Sequence, residues 1–173
     1  MKADTSLREG LPPRGLTLCS GEVMPLTGSS LARGLIHRLQ RGDIDLAKLT
    51  QAQAQKYLLS QAMKGYLEWL APQLDDLPSE LEEAFTHLRQ EAARKDPAKN
   101  RHSRLNESIS HLHIGLNAFI KFAVSLGALS QEEGETILQE GWEIFNQIAD
   151  EQTQLEKAGE PSKKIAEASM ELE

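Results

Sequence analysis

Few residues in this chain have both the type and the spacing that chemistry needs. His102, His111 and His113 fall in one stretch. His111 and His113 stand two apart on a predicted helix, about 200° around it at 3.6 residues per turn, so they cannot chelate one metal ion together. Solvated or hydrogen-bonded imidazoles are the ordinary reading, and no metal site is predicted. Cys19, the single cysteine, reads as a small buried hydrophobe. The sequence contains no GxxxxGKS/T phosphate-binding loop and no GxGxxG, HExxH, CxxC or GxSxG motif, so no catalytic activity is predicted for the chain by itself.

Two groups remain. Between Arg89 and Arg104 lie six basic residues (Arg89, Arg94, Lys95, Lys99, Arg101, Arg104) and two acidic ones (Glu91, Asp96), a local +4 in a chain of net charge -7. Such a patch can contact a phosphate backbone with sequence-independent, salt-sensitive affinity. Arg94, Lys95, Lys99, Arg101 and Arg104 are the candidate nucleic-acid contacts; the competing reading is an ordinary solvated loop. The second group is Ser20-Gly21-Glu22, with Arg33 ahead of the next apolar run. It is the one arrangement that points to a nucleotide.

The elements that must position these residues emerge from hydrophobic periodicity. Leu105, Ile109, Leu112, Leu116, Phe119 or Ile120, and Ala123 recur at steps of three and four, one face of a helix of about 24 residues and roughly 36 Å. Phe122 and Val124 widen that face, Ser103 is its expected N-cap and Gly127 its C-terminal stop. Upstream, residues 1–13 are a flexible lead. Gly15-Leu-Thr-Leu-Cys19 and Leu35-Ile-His-Arg-Leu39 are predicted strands, the second turning at Arg41-Gly42-Asp43. Two strands without a third cannot form a stable sheet in water, so they look like the edge of something larger.

A second helix is predicted from a Thr50 N-cap to Pro72, its face formed by Leu59, Ala62, Met63, Tyr66 and Leu70 with Leu58 and Trp69 alongside. A third opens on a Ser79–Glu82 capping box and carries Leu81, Phe85, Leu88 and Ala92. The last opens on a Ser130–Glu133 box. Its face is Ile137, Gly141, Ile144, Ile148 and Leu155, flanked by Leu138, Trp142 and Phe145, and Gly159-Glu-Pro161 ends it. The expected fold is therefore mainly α: a short two-strand N-terminal remnant (1–45), a four-helix antiparallel bundle (46–160) and a tail (161–173).

The order strand, Ser-Gly-Glu, Pro-containing loop, Ser-x-x-Ala-Arg, strand, Gly-Asp-Ile-Asp resembles the late part of the ATPase core in primase–helicase-like proteins of phages, plasmids and integrative elements. The helical segment with GYLEWL and the Gly-Glu-Pro-Ser exit are similar to the region after that core in such proteins; together the likeness covers roughly residues 12–165. It implies that Ser20 or Glu22 senses a γ-phosphate and that Arg33 reaches a neighbouring subunit's nucleotide. Arg38 and Arg41 are rivals for Arg33, which has structural pairing with Glu22 as its other reading. The phosphate-binding loop and the magnesium-binding acid would lie upstream. The resemblance thus implies a non-catalytic C-terminal portion of a mobile-element replication NTPase, needing no cofactor alone and using ATP and magnesium when an upstream ATPase half completes it. The alternative is a stand-alone helical protein-interaction module.

Composition bounds both readings. The 173 residues are 39% apolar and 5% aromatic, enough for one core built mainly of aliphatic side chains. Net negative charge argues against a whole-surface nucleic-acid binder, leaving weak local DNA contact. One cysteine excludes an internal disulfide framework, no secretory leader is predicted, and the apolar run 114–129 is too short and polar to span a bilayer, so a cytoplasmic location is expected. The partner is an ATPase half or another protein, and the oligomeric state is left open.

Overall fold

The computed structural model describes residues 17–21, 34–96 and 101–170, with side chains as far as 157. Its helices are α1 (Leu46–Ala54), α2 (Lys56–Leu70), α3 (Leu77–Arg94), α4 (Ser103–Ser125) and α5 (Gln131–Met170), with a 3-10 turn at Ala71–Gln73. The mainly α class is observed, and no strand occurs among the described residues.

α4 is the element that the others pack on. On one side it meets α3, where Phe85 stacks on His111 at 4.4 Å between centroids and Arg89 reaches Glu107 at 3.9 Å. On the other it meets α5, with Leu116 against Gly141 and Ile120 and Val124 against Gly134. In both pairs numbers rise along one helix as they fall along the other, so each pair is antiparallel. The core is Ala92 from α3, Leu105 and Ile109 from α4, and Trp142 and Ala149 from α5, with Leu35, Leu88 and Phe145 packed against it. α2 touches α4 further along, where Tyr66 and Trp69 close on Phe122 at 5.6 and 5.8 Å.

Helix ends obey local chemistry, in part as expected. Ser130 and Glu133 form the reciprocal box: the Glu133 carboxylate accepts from the Ser130 N–H at 2.8 Å, and the Ser130 hydroxyl accepts from the Glu133 N–H at 3.2 Å. The Ser130 N–H, and the Ser130 hydroxyl that also donates to Glu133 Oε2 at 2.9 Å, hold the Glu133 carboxyl below its usual pKa. Gly127 has φ 69°, with Ala128 N–H bonded to Ala123 O and Gly127 N–H to Val124 O, both at 2.9 Å. A left-handed residue with this pair of bonds satisfies the last carbonyls of α4.

Three starts differ from expectation. α1 begins at Leu46, because Asp45 Oδ1 accepts from the N–H groups of Ala47 and Lys48. Thr50 bonds back to Leu46 O inside the helix, and Gln55 separates α1 from α2. α3 begins at Leu77, since Pro78 suits a first turn with its fixed φ and missing N–H. Ser79 accordingly donates back to Asp76 O at 2.8 Å. α4 is capped by His102, whose Nδ1 accepts from Arg104 N–H. At the other end of the chain, α5 continues past Gly159-Glu-Pro161 to Met170. Proline removes one rung of a helix, but about eight preceding turns are already formed.

Neither expected strand is found in its described residues. Thr17–Gly21 belongs to no element and Leu18 is 94% exposed. Residues 35–39 are likewise in no element. The backbone here is answered by a side chain: Gln152 Oε1 accepts from Ile36 N–H at 2.9 Å and Gln152 Nε2 donates to Gly34 O at 3.2 Å. One buried amide on α5 stands in for an adjacent strand, so residues 34–36 are tied to the helical part of the chain.

Candidate functional site

The basic stretch is split by the fold. Arg101 is buried, its side chain 1% exposed. Its Nε donates to Asp150 Oδ1 at 2.7 Å, and its two terminal nitrogens donate to Asn146 Oδ1 and Asn146 O at 2.8 and 3.2 Å. Its backbone N–H donates to Asp96 Oδ2 at 2.7 Å. Asn146 is held in turn by donating to Trp142 O at 2.8 Å. The expected phosphate contact is therefore a clamp between the α3–α4 connection and α5, and a guanidinium enclosed this way cannot also face a phosphate in solvent. Arg94, Lys95 and Arg104 are exposed at the end of α3 and the start of α4, Lys95 Nζ lying 5.8 Å from the Trp142 ring centre. Lys99 lies outside the described residues.

Among the nucleotide-sensing candidates, Ser20 is exposed and outside any element, while Glu22 and Arg33 lie outside the described residues. Arg38 and Arg41 are exposed, Arg41 in the turn that contains Gly42 at φ 106°. The two helical histidines face different neighbours. His111 stacks on Phe85 of α3, and His113 meets Trp142 of α5 edge-on at 5.0 Å. His113 Nδ1 is buried without a hydrogen-bond partner. Burial lowers the His113 pKa from its ordinary value, the Glu91 carboxylate acting in the opposite direction. Glu91 also accepts from Trp142 Nε1 at 2.9 Å. No group of three or more His, Cys, Asp or Glu side chains able to hold a metal ion occurs among the described residues.

What the structure adds is an apolar surface. None of the 15 residues of α2 is buried, although Tyr57, Leu58, Leu59, Ala62, Met63, Tyr66, Leu67, Trp69 and Leu70 cover most of its circumference. Gly65, Tyr66 and Trp69 face Phe122 of α4. Leu59, Met63 and Leu67, spaced four apart, form a separate stripe, 69%, 57% and 55% exposed. Leu46 and Leu49 of α1 and Leu74 beyond the 3-10 turn are exposed as well. A helix with apolar residues on more than one side is built to be covered on more than one side. The sequence pattern contained this stripe; that no described element covers it could be seen only once α3, α4 and α5 were in place.

No known protein family, characterised protein or solved structure matches the chain. Among the described residues no helix is long and apolar enough to cross a membrane.

Proposed function

We propose that this chain is a helical protein-interaction module whose working surface is the apolar face of α1 and α2. One observation carries the reading: α2 has no buried residue while Leu59, Met63 and Leu67 stand open to solvent. Contiguous apolar surface of this kind marks interaction sites on monomeric domains. In this reading α2 is the fourth helix of a bundle that only a partner completes. A photo-crosslinking residue placed at Met63 or Leu67 in the native host should capture a protein, whereas one at Glu83 on the polar side of α3 should not. Equal capture from both positions would remove α2 as the docking surface.

The resemblance to primase–helicase-like ATPases gives this reading a more specific form, in which the partner is an upstream ATPase half that brings ATP and magnesium. Its support is the order of motifs in the sequence. Reconstitution with that half should give nucleotide turnover that Arg33→Ala abolishes while nucleotide binding survives; full turnover in the variant removes Arg33 from the mechanism. Of the described candidates for nucleic-acid contact, Arg94, Lys95 and Arg104 are exposed. Weak DNA binding should fall steeply with added salt and disappear on reversal of those three charges.

A further inference from the structure

Resting on the docking reading above, we infer that the protein seated on α2 is a second copy of this chain, its α2 running antiparallel to the first. The charges along this segment point to it. Residues 46–64 carry Lys48, Lys56 and Lys64 and no acid, and residues 65–76 carry Glu68, Asp75 and Asp76 and no base. Within a single helix this order is unfavourable, because the dipole prefers acids near the N-terminus and bases near the C-terminus. α2 has no acid in its first turn and no base in its last. Lys64 and Glu68, at the boundary between the halves, pair with each other at 2.7 Å, leaving Lys56 and the Asp75–Asp76 pair at opposite ends.

Antiparallel pairing resolves this charge order. It sets the basic half of each copy along the acidic half of the other, whereas parallel pairing sets like against like. The apolar stripe is self-complementary about the same point. A two-fold axis near Leu67 puts Leu59 against Leu74 of the second copy and Met63 against its Leu70, with Lys56 beside its Asp75 and Asp76. Such an interface is isologous, the commonest way for a chain to pair with itself. The stripe from Leu59 to Leu74 is about 23 Å long, and two copies along it bury on the order of 1,000 Å² in total, the size of a weak, reversible dimer.

The test is sedimentation equilibrium of the full chain from micromolar to near-millimolar concentration, joined to disulfide trapping. The chain should shift from monomer to dimer across that range, and Leu67→Glu should keep it monomeric without loss of helical circular dichroism. Lys56→Glu should weaken the dimer several-fold, and adding Asp75→Lys and Asp76→Lys should restore it. In a Cys19→Ser background, Leu67→Cys should form an interchain disulfide under mild oxidant. Leu59→Cys should not, because antiparallel pairing holds the two Leu59 positions about 24 Å apart, far beyond disulfide reach.

A chain that stays monomeric at every concentration overturns the inference, as does a dimer indifferent to Leu67→Glu or one that traps Leu59→Cys as readily as Leu67→Cys. A monomer that crosslinks from position 67 to a different protein overturns self-pairing and leaves the docking reading standing. A monomer with no crosslink from position 67 overturns both.

Discussion

The three side-chain nitrogens of Arg101 all find acceptors fixed on α5, two on Asn146 and one on Asp150. Asp150 is half in water, its side chain 54% exposed, so the ion pair alone contributes little. The larger cost of losing it lies in leaving Asn146 buried and unsatisfied. Arg101→Met should therefore destabilise the fold by at least the ~1–3 kcal/mol of an orphaned buried polar group, read from urea denaturation. Arg101→Lys should recover little, since an ammonium cannot reproduce the planar fork; a fully stable Lys variant would show that charge, not geometry, matters here. His113 gives the second prediction at this scale. Its folded pKa is lowered by burial, so the unfolded chain, titrating near 6.5, binds the extra proton. The stability contributed by neutral His113 is then fully present above that value and is lost as pH falls below it. Between about pH 7 and pH 5 the thermal midpoint should fall more in the native chain than in His113→Leu. Equal slopes would assign the proton uptake to another group.

Between α4 and α5 the spacing is set by glycines, and they differ in a testable way. A methyl group at Gly134 would lie 2.9 Å from Ile120 Cγ2 and 3.2 Å from Val124 Cγ2, and β-branched side chains have little freedom to retreat. At Gly141 the obstacle is the end of Leu116, which can change rotamer. At Gly115, exposed on α4, nothing lies within 4 Å. Gly115→Ala should raise stability by about 1 kcal/mol, the helix-propensity difference. Gly134→Ala gains the same propensity but meets overpacking of about 1–3 kcal/mol. Its thermal midpoint should therefore fall below that of Gly115→Ala, and a common rise for both would mean that the helices part without cost.

Across the molecule, burial is unevenly distributed. The enclosed side chains belong to α3, α4, α5 and, in Arg101, the connection between α3 and α4, while α1 and α2 contain no buried residue. Ile109→Ala should cost about 2–5 kcal/mol through lost transfer energy and a cavity. Leu59→Ala should stay within about 0.5 kcal/mol in dilute solution, as a surface substitution does. Hydrogen exchange should show the same division, with α4 amides opening last and those of α1 and α2 opening well before them. Protection of α2 equal to that of α4 in dilute solution would mean that it belongs to the same cooperative unit.

Features closed within a few residues are legible in the sequence. The Ser130–Glu133 box and the Gly127 stop each complete their hydrogen bonds inside about one turn, and the α4 face from Leu105 to Ala123 is set by its own period. Even there periodicity leaves Phe119 and Ile120 as alternatives, and packing decides between them by burying Ile120 and leaving Phe119 52% exposed. On α5 the apolar period points to one side and burial falls partly on another. Trp142 and Ala149 form the core and Ile144 is exposed, because Asn146, Gln152 and Thr153 are buried on that side with hydrogen bonds that offset their desolvation. Arg101 reads as surface because its sequence neighbours are charged, but its acceptors lie 45 and 49 residues away. Ile36 reads as a strand residue, yet its N–H meets Gln152, 116 residues on. Local pattern determines the apolar side a helix offers and the caps whose bonds close within about one turn. Which polar groups that side can bury, and which apolar stripe it leaves uncovered, depend on partners brought together only by the fold.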